Sequence, residues 1–213
     1  MPIPNSFNPL GTLGSLRPVP SGYIAKRWLE ANPETANSGP YVDTGIAPDL
    51  TTRWEICFRW FESETGASMG CYSYGSYQAR FQLDAVADGS GVFYTARQVY
   101  GETTLNWANV RVGDVATAVI DNPNQYCEIN GARRYTTGVT PCLVNIHLFL
   151  RKGNYEFLGG ARTRIFWSKI FKGGELVQDL SPVVRTADGA KGFYDHVSGE
   201  FFGPQGAGEF LTD

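Results

Sequence analysis

Trp54-Glu55-Ile56-Cys57-Phe58-Arg59-Trp60 is the stretch that decides the fold. Residues 54, 56, 58 and 60 are apolar, with Glu55 and Arg59 on the other side, which is the two-residue period of a half-buried β-strand. The period returns in 143–151, where Val144, Ile146, Leu148 and Leu150 oppose Asn145, His147 and Arg151. Val115–Ile120 is a short apolar run, as in a strand buried on both faces. Turn signals separate these pieces. Asn130-Gly131, between 125–129 and 132–136, reads as a two-residue hairpin. Gly173-Gly174 divides 164–172 from 175–180, and Ser198-Gly199 divides 192–196 from 200–203. That spacing implies about ten to fourteen strands in a two-sheet sandwich. One short helix is expected, over Lys26–Ala31.

Composition agrees. Charged residues are 18% of the 213, 25 residues are Gly, and 14% are aromatic, against typical values of about 25% charged and about 7% Gly. Helical bundles, coiled coils and acidic disordered chains do not look like this. The net charge is −3 and there is no Lys/Arg run; the densest basic spots are Lys26-Arg27 and Arg133-Arg134. Nucleic acid is therefore not the expected partner. No apolar run is long enough for a membrane-spanning helix, so no membrane partner is expected.

Residues 1–22 stand apart. Pro at 2, 4, 9, 18 and 20 forbids a continuous helix or a central strand, and Arg17 is the single charge. The segment reads as an extended arm, followed by one sandwich domain over 23–213. Ile3, Phe7, Leu10, Leu13, Leu16 and Val19 give the arm apolar side chains that need a surface to lie on. That surface is either its own sandwich or a neighbouring subunit. The second reading makes Ile3, Phe7, Leu10, Leu13 and Leu16 partner-binding residues. Residues 1–16 lack the basic start and apolar stretch of a secretory leader, so synthesis in a host cytoplasm is expected.

Cys57, Cys71, Cys127 and Cys142 make no CxxC pair, and the only histidines are His147 and His196. Zinc ligation needs tighter pairs. Spacing alone leaves disulfide pairing open; free buried thiols are the expectation for a reducing compartment.

A family resemblance is carried by the C-terminal third. Gly159-Gly160-Ala161-Arg162-Thr163-Arg164-Ile165-Phe166-Trp167-Ser168-Lys169-Ile170 leads to Gly174-Glu175-Leu176-Val177-Gln178-Asp179-Leu180-Ser181-Pro182-Val183. Then follows Gly192-Phe193-Tyr194-Asp195-His196-Val197-Ser198-Gly199-Glu200-Phe201-Phe202-Gly203. This resembles the closing strands of concanavalin A-like (laminin-G-like) jelly-roll domains, found in bacteriophage structural proteins and gut-bacterial surface proteins. Tyr41-Val42-Asp43-Thr44-Gly45-Ile46 resembles their opening strand, and 113–131 matches a middle strand pair at pattern level. The resemblance implies an all-β, two-sheet antiparallel jelly-roll sandwich over about 23–211. In this motif Phe193, Tyr194, Phe201 and Phe202 would plug the sandwich end, and Gly192, Gly199 and Gly203 would give the turns freedom. Asp195 and Asp43 are expected to accept backbone N–H bonds in turns. Some relatives bind calcium, but no Asp/Asn cluster with ligand spacing occurs here, so neither metal nor cofactor is expected.

The fold also hosts glucanases, whose acids alternate along one strand face. Glu62 and Glu64 are the nearest approach, and no acid follows at 66. His147 and His196 suggest no Ser-His-Asp set, and no phosphate-binding glycine loop is present. The chain is expected not to be an enzyme.

Two functions remain. The first is a bacteriophage virion structural protein: a capsid-decorating, head-fibre or tail-associated subunit on the virion surface. The arm would attach it to other virion proteins, and homo-oligomers are common among such subunits. The second is a carbohydrate-binding, lectin-like module of a bacterial surface protein. Its candidate glycan contacts are Tyr72, Tyr74, Tyr77, Arg80 and Trp107, aromatic faces beside planar polar groups. Glycan adhesion could also be an accessory of the first role, because many copies multiply weak sites.

Overall fold

The run 54–60 lies at the centre of the larger of two sheets. In the computed structural model Trp54, Ile56, Phe58 and Trp60 are buried in the core, while Glu55 and Arg59 point away from it. The structure describes residues 16–31, 39–61, 68–73, 79–88, 91–97, 105–111, 113–136, 138, 141–152, 157–158 and 162–213. Among them are twenty strands and no helix. In order these are β1 (Tyr23–Ala25), β2 (Leu29–Ala31), β3 (Pro40–Asp43), β4 (Thr52–Trp60), β5 (Ser68–Ser73), β6 (Ala79–Asp88) and β7 (Gly91–Arg97). β8 (Leu105–Arg111), β9 (Ala116–Asp121), β10 (Tyr126–Ile129), β11 (Ala132–Tyr135), β12 (His147–Leu148), β13 (Arg151–Lys152) and β14 (Phe157–Leu158) follow. The last are β15 (Thr163–Lys172), β16 (Glu175–Arg185), β17 (Lys191–Asp195), β18 (Phe201–Phe202), β19 (Gln205–Gly206) and β20 (Leu211–Thr212). The number exceeds ten to fourteen because six strands are ladders of only two residues.

The larger sheet runs β11-β10-β9-β4-β15-β16-β17-β18; β1 joins it beside β16, β2 beside β15, and β20 beside β2. The smaller runs β19-β3-β12-β5-β6-β7-β8, with β13 and β14 attached. Pairing is antiparallel, except that β13 runs parallel to β5. The protein is thus an all-β sandwich. Its inner faces meet where the Trp54 ring packs on Phe81, centroids 6.1 Å apart. The indole Nε1 of Trp54 donates to Ser168 Oγ at 3.0 Å, so this buried ring leaves no polar atom unmade. Burial of each such side chain contributes about 1.5–3 kcal/mol.

The hairpins form where the glycines announce them. Asn130 (φ 50°) with Gly131 (81°), and Gly173 (59°) with Gly174 (86°), are left-handed at both turn positions, as tight strand reversal requires.

The structure departs from the sequence pattern in four places. Residues 26–31 are not helical. β15 and β16 pair along 168–172 and 175–180 and then splay apart. β1 pairs with β16 at 183–185 and β2 with β15 at 163–165, so the chain from 23 to 31 is wedged into the fork. These pairings override a weak local preference. The alternation over 143–151 also fails. Phe149 has φ 75°, an outlier for a bulky residue. The kink buries Leu148, Phe149 and Leu150 in succession, and Leu143 is exposed. The Phe149 ring packs on Phe210 and Phe193 at 4.7 and 6.1 Å. β9 is not buried on both faces: Ala116, Ala118 and Ile120 enter the core, while Thr117 and Val119 are half-buried.

The fourth departure concerns the terminal motif. Phe193 and Phe202 face the core, but Tyr194 and Phe201 lie on the outer face, where Tyr23 packs on them at 5.0 and 6.0 Å. Gly199 has the left-handed φ of a turn glycine (79°); Gly192 and Gly203 do not. They are bare because the Phe201 ring lies where their side chains would be.

Candidate functional site

Two regions carry the chemistry that the sequence singled out. The first is the root of the arm. Leu16 is exposed, and the next residue, Arg17, is held by Asp179 of β16 at 2.5 Å. Thr186 donates both its N–H (2.9 Å) and its hydroxyl (3.1 Å) to the Gly22 carbonyl. Lys26 N donates to the Pro182 carbonyl at 2.9 Å. With the β1 pairing and the Tyr23 ring contacts, these bonds bind 17–26 to β16–β18 at successive points. Ile3, Phe7, Leu10 and Leu13 lie outside the described residues.

The second region is the outer face of the smaller sheet. Met69, Cys71, Phe81 and Leu83 enter the core, so alternation turns Tyr72 of β5 and Arg80, Gln82 and Asp84 of β6 outward. Tyr72, Gln82 and Asp84 are nonetheless almost fully buried, so both faces are covered here. Arg151 of β13 donates from Nη1 to Gln82 Oε1 at 3.1 Å. Gln82 Nε2 in turn donates to both oxygens of Asp84, at 3.0 and 2.8 Å. The guanidiniums of Arg80 and Arg151 lie 5.0 and 5.4 Å from the Tyr72 ring centre. Tyr72 is thus clamped by cations and is not the open stacking platform that glycan contact asks of it. Tyr74 and Tyr77 lie outside the described residues, and Trp107 is within β8.

On the same face His147 of β12 pairs in register with Asp43 and with Gly70. Its Nδ1 lies 2.6 Å from the Asn145 carbonyl and its Nε2 3.5 Å from Asp43 Oδ2. Burial lowers its pKa against the pull of Asp43. Asp43 also accepts from Gly45 N (2.8 Å) and Asn145 Nδ2 (3.0 Å), which is the turn role expected of it.

No family model matches this chain, and no curated protein matches it. The geometry therefore stands alone. A glycosidase pair is absent from the described part of β6, whose outward side chains run Arg80, Gln82, Asp84. Glu62 and Glu64 lie outside the described residues. Among the described residues no three His, Cys, Asp or Glu side chains converge as metal ligands.

One contact was missed in the sequence. Ser181 Oγ lies 2.7 Å from His196 Nε2, the approach of a nucleophile to its base. Burial lowers the His196 pKa. Acyl-transfer triads add a carboxylate on the other ring nitrogen. Here the neighbouring acids are engaged elsewhere. Asp179 holds Arg17, and Asp195 accepts from Asp179 N (2.8 Å), Val197 N (3.1 Å) and Ser198 Oγ (2.7 Å). No sequence signal joins positions 181 and 196; strand register does, by pairing Ser181 with Tyr194. A cavity of about 360 Å³ opens beside the Gly173-Gly174 turn, but its Arg53 is held by Glu55 at 2.5 Å.

Proposed function

We propose that this chain is a non-enzymatic bacteriophage virion subunit, a concanavalin A-like jelly-roll sandwich fastened to other virion proteins by its N-terminal arm. The observation that carries the reading is the root of the arm. An arm that holds a domain on a particle must not peel away from that domain. Here residues 17–26 are bound by an ion pair, backbone bonds to β16 and the Tyr23–Tyr194–Phe201 ring cluster, and β1 is wedged into the sheet. Beyond this root the sequence places Ile3, Phe7, Leu10 and Leu13, apolar groups that gain about 25 cal/mol per Å² when a partner covers them. The resemblance of 159–203 to phage-borne jelly rolls supports the same role.

The test is deletion of residues 2–15, which leaves Arg17 and β1 in place. The truncated chain should fold with an unchanged melting temperature and no longer co-sediment with particles assembled in the producing host. Co-sedimentation of the truncated chain would overturn the reading.

A further inference from the structure

On the outer face of the larger sheet, Glu30 of β2, Arg164 of β15 and Arg59 of β4 form one row across three paired strands. Phe61 and Arg162 extend it, joined by the Phe61 N–H to the Arg162 carbonyl at 3.1 Å. The guanidinium carbons of Arg59, Arg162 and Arg164 lie 4.6, 4.6 and 4.8 Å from the centre of the Phe61 ring. Arg164 also stacks on Trp28 at 3.8 Å.

Two of the three guanidiniums share one carboxylate here. Glu30 is buried and both its oxygens are used: Oε1 accepts from Arg162 Nε (2.7 Å), and Oε2 from Arg164 Nε (3.0 Å) and Nη2 (2.6 Å). Arg59 receives none of this. Its Nε is inaccessible to water and has no hydrogen-bond acceptor among the described residues. A buried donor left unmade is costly, more so on a charged group. Packing on Phe61 offsets part of this, since a ring face attracts a cation, but supplies no acceptor. The Arg162 side chain is 40% exposed, so its outer edge meets solvent.

We propose that this cluster binds an oxyanion, a sulfate, phosphate or carboxylate group, between Arg59 and the open edge of Arg162. Planar guanidinium forks suit such groups, and charge-assisted bonds are the stronger kind. Glu30 holds Arg162 and Arg164 in place, so the site is pre-shaped; Arg59 supplies a guanidinium whose Nε has no acceptor among the described residues.

The test is calorimetric titration of the full chain with sodium sulfate in sodium chloride of matched ionic strength, with a sulfated disaccharide titrated in parallel. Saturable sulfate binding is expected, weakened at least tenfold by Arg59→Gln and by Arg162→Gln, and unchanged by Arg134→Gln on the exposed edge strand β11. A disaccharide at least tenfold tighter than sulfate would assign the anion to a saccharide; equal affinity would assign it to the free ion. Absence of saturable binding over chloride, or Arg59→Gln and Arg162→Gln variants that bind like the parent, would overturn the proposal.

Discussion

The ring of Phe201 occupies the space that a side chain on Gly192 would need. A Cβ at 192 would lie 2.6 Å from Phe201 Cζ and 2.4 Å from the Phe202 carbonyl oxygen. The second contact is with backbone of the adjacent strand, so rotating the ring does not relieve both. Gly192→Ala should therefore destabilise the protein by about 1–3 kcal/mol, the range for inserting a methyl into a filled space. Urea denaturation of the variant measures it; a loss below about 0.5 kcal/mol would show that β17 and β18 separate easily. Phe201→Ala in the same background should recover part of the loss.

Asp195 closes the last hairpin. Its carboxylate accepts from three backbone N–H groups, of Asp179, Val197 and Ser198, and from the Ser198 hydroxyl, in a nearly water-free setting. Asp195→Ala leaves those donors unmade, and each buried one costs about 1–3 kcal/mol. The expected loss is about 3 kcal/mol, with Asp195→Asn losing less because one acceptor oxygen remains. Equal losses for Ala and Asn in chemical denaturation would refute the capping account.

Both histidines lie below their ordinary pKa of 6.5, burial being the first cause in each. As pH falls the unfolded chain is protonated first, so their contribution is complete above about 6.5 and is lost below it. The loss is at most about 1.4 kcal/mol per pH unit for each histidine. Folding free energy measured at pH 7.5 and 5.5 should fall, and His147→Gln should flatten the dependence. A His147→Gln variant with an unchanged pH slope would remove that residue from the account.

Local signals were legible in the sequence, and non-local ones were not. The alternation of 54–60 and the turns at 130–131 and 173–174 rest on neighbouring residues, whose period and φ preferences act within a few positions. The wedge of 23–31 rests on pairing with residues more than 130 positions away, so the sequence alone suggests a short helix over Lys26–Ala31. Phe149 interrupted an alternation because its ring fills space between Phe193 and Phe210, a requirement set by other strands. For the sites the divide is the same. Tyr72 and Arg80 are visible as residue types, but the clamp on Tyr72 needs Arg151. The Arg59–Arg162 cluster joins residues about a hundred positions apart. Asp43 and Asp195 were readable as turn caps, since their partners follow within three residues.

Arg17 and Asp179 tie the arm to the sheet through a half-exposed guanidinium and a nearly buried carboxylate. A pair so placed contributes up to about 1 kcal/mol, because water screens its outer side. Arg17→Gln should lower global stability by no more than this, yet increase amide exchange at 17–22 well beyond that of β15 and β16. Protection at 17–22 unchanged in Arg17→Gln would show that the β1 pairing alone holds the root.

The four cysteines are free and buried, and they differ in how readily each ionises. Burial raises the Cys57 pKa to about 12 and pushes those of Cys71 and Cys127 up as well. Cys142 goes the other way: hydrogen bonds from the Cys71 thiol, the Val144 backbone and Ser73 favour its thiolate. The thiolate is the reacting species, so access and ionisation together set the order of modification. At pH 7.5 iodoacetamide should leave the native protein unlabelled on the time that labels the denatured chain fully. In urea below the midpoint Cys142 should label first, because it lies outside any strand, next to exposed Leu143, and its thiolate is favoured. Cys127, fully buried in β10 between β9 and β11, should label last. Peptide mass spectrometry reads the order directly. Labelling of Cys127 ahead of Cys142 would mean that the β9–β11 end opens before the 141–145 segment, against the burial and bonding that distinguish the two.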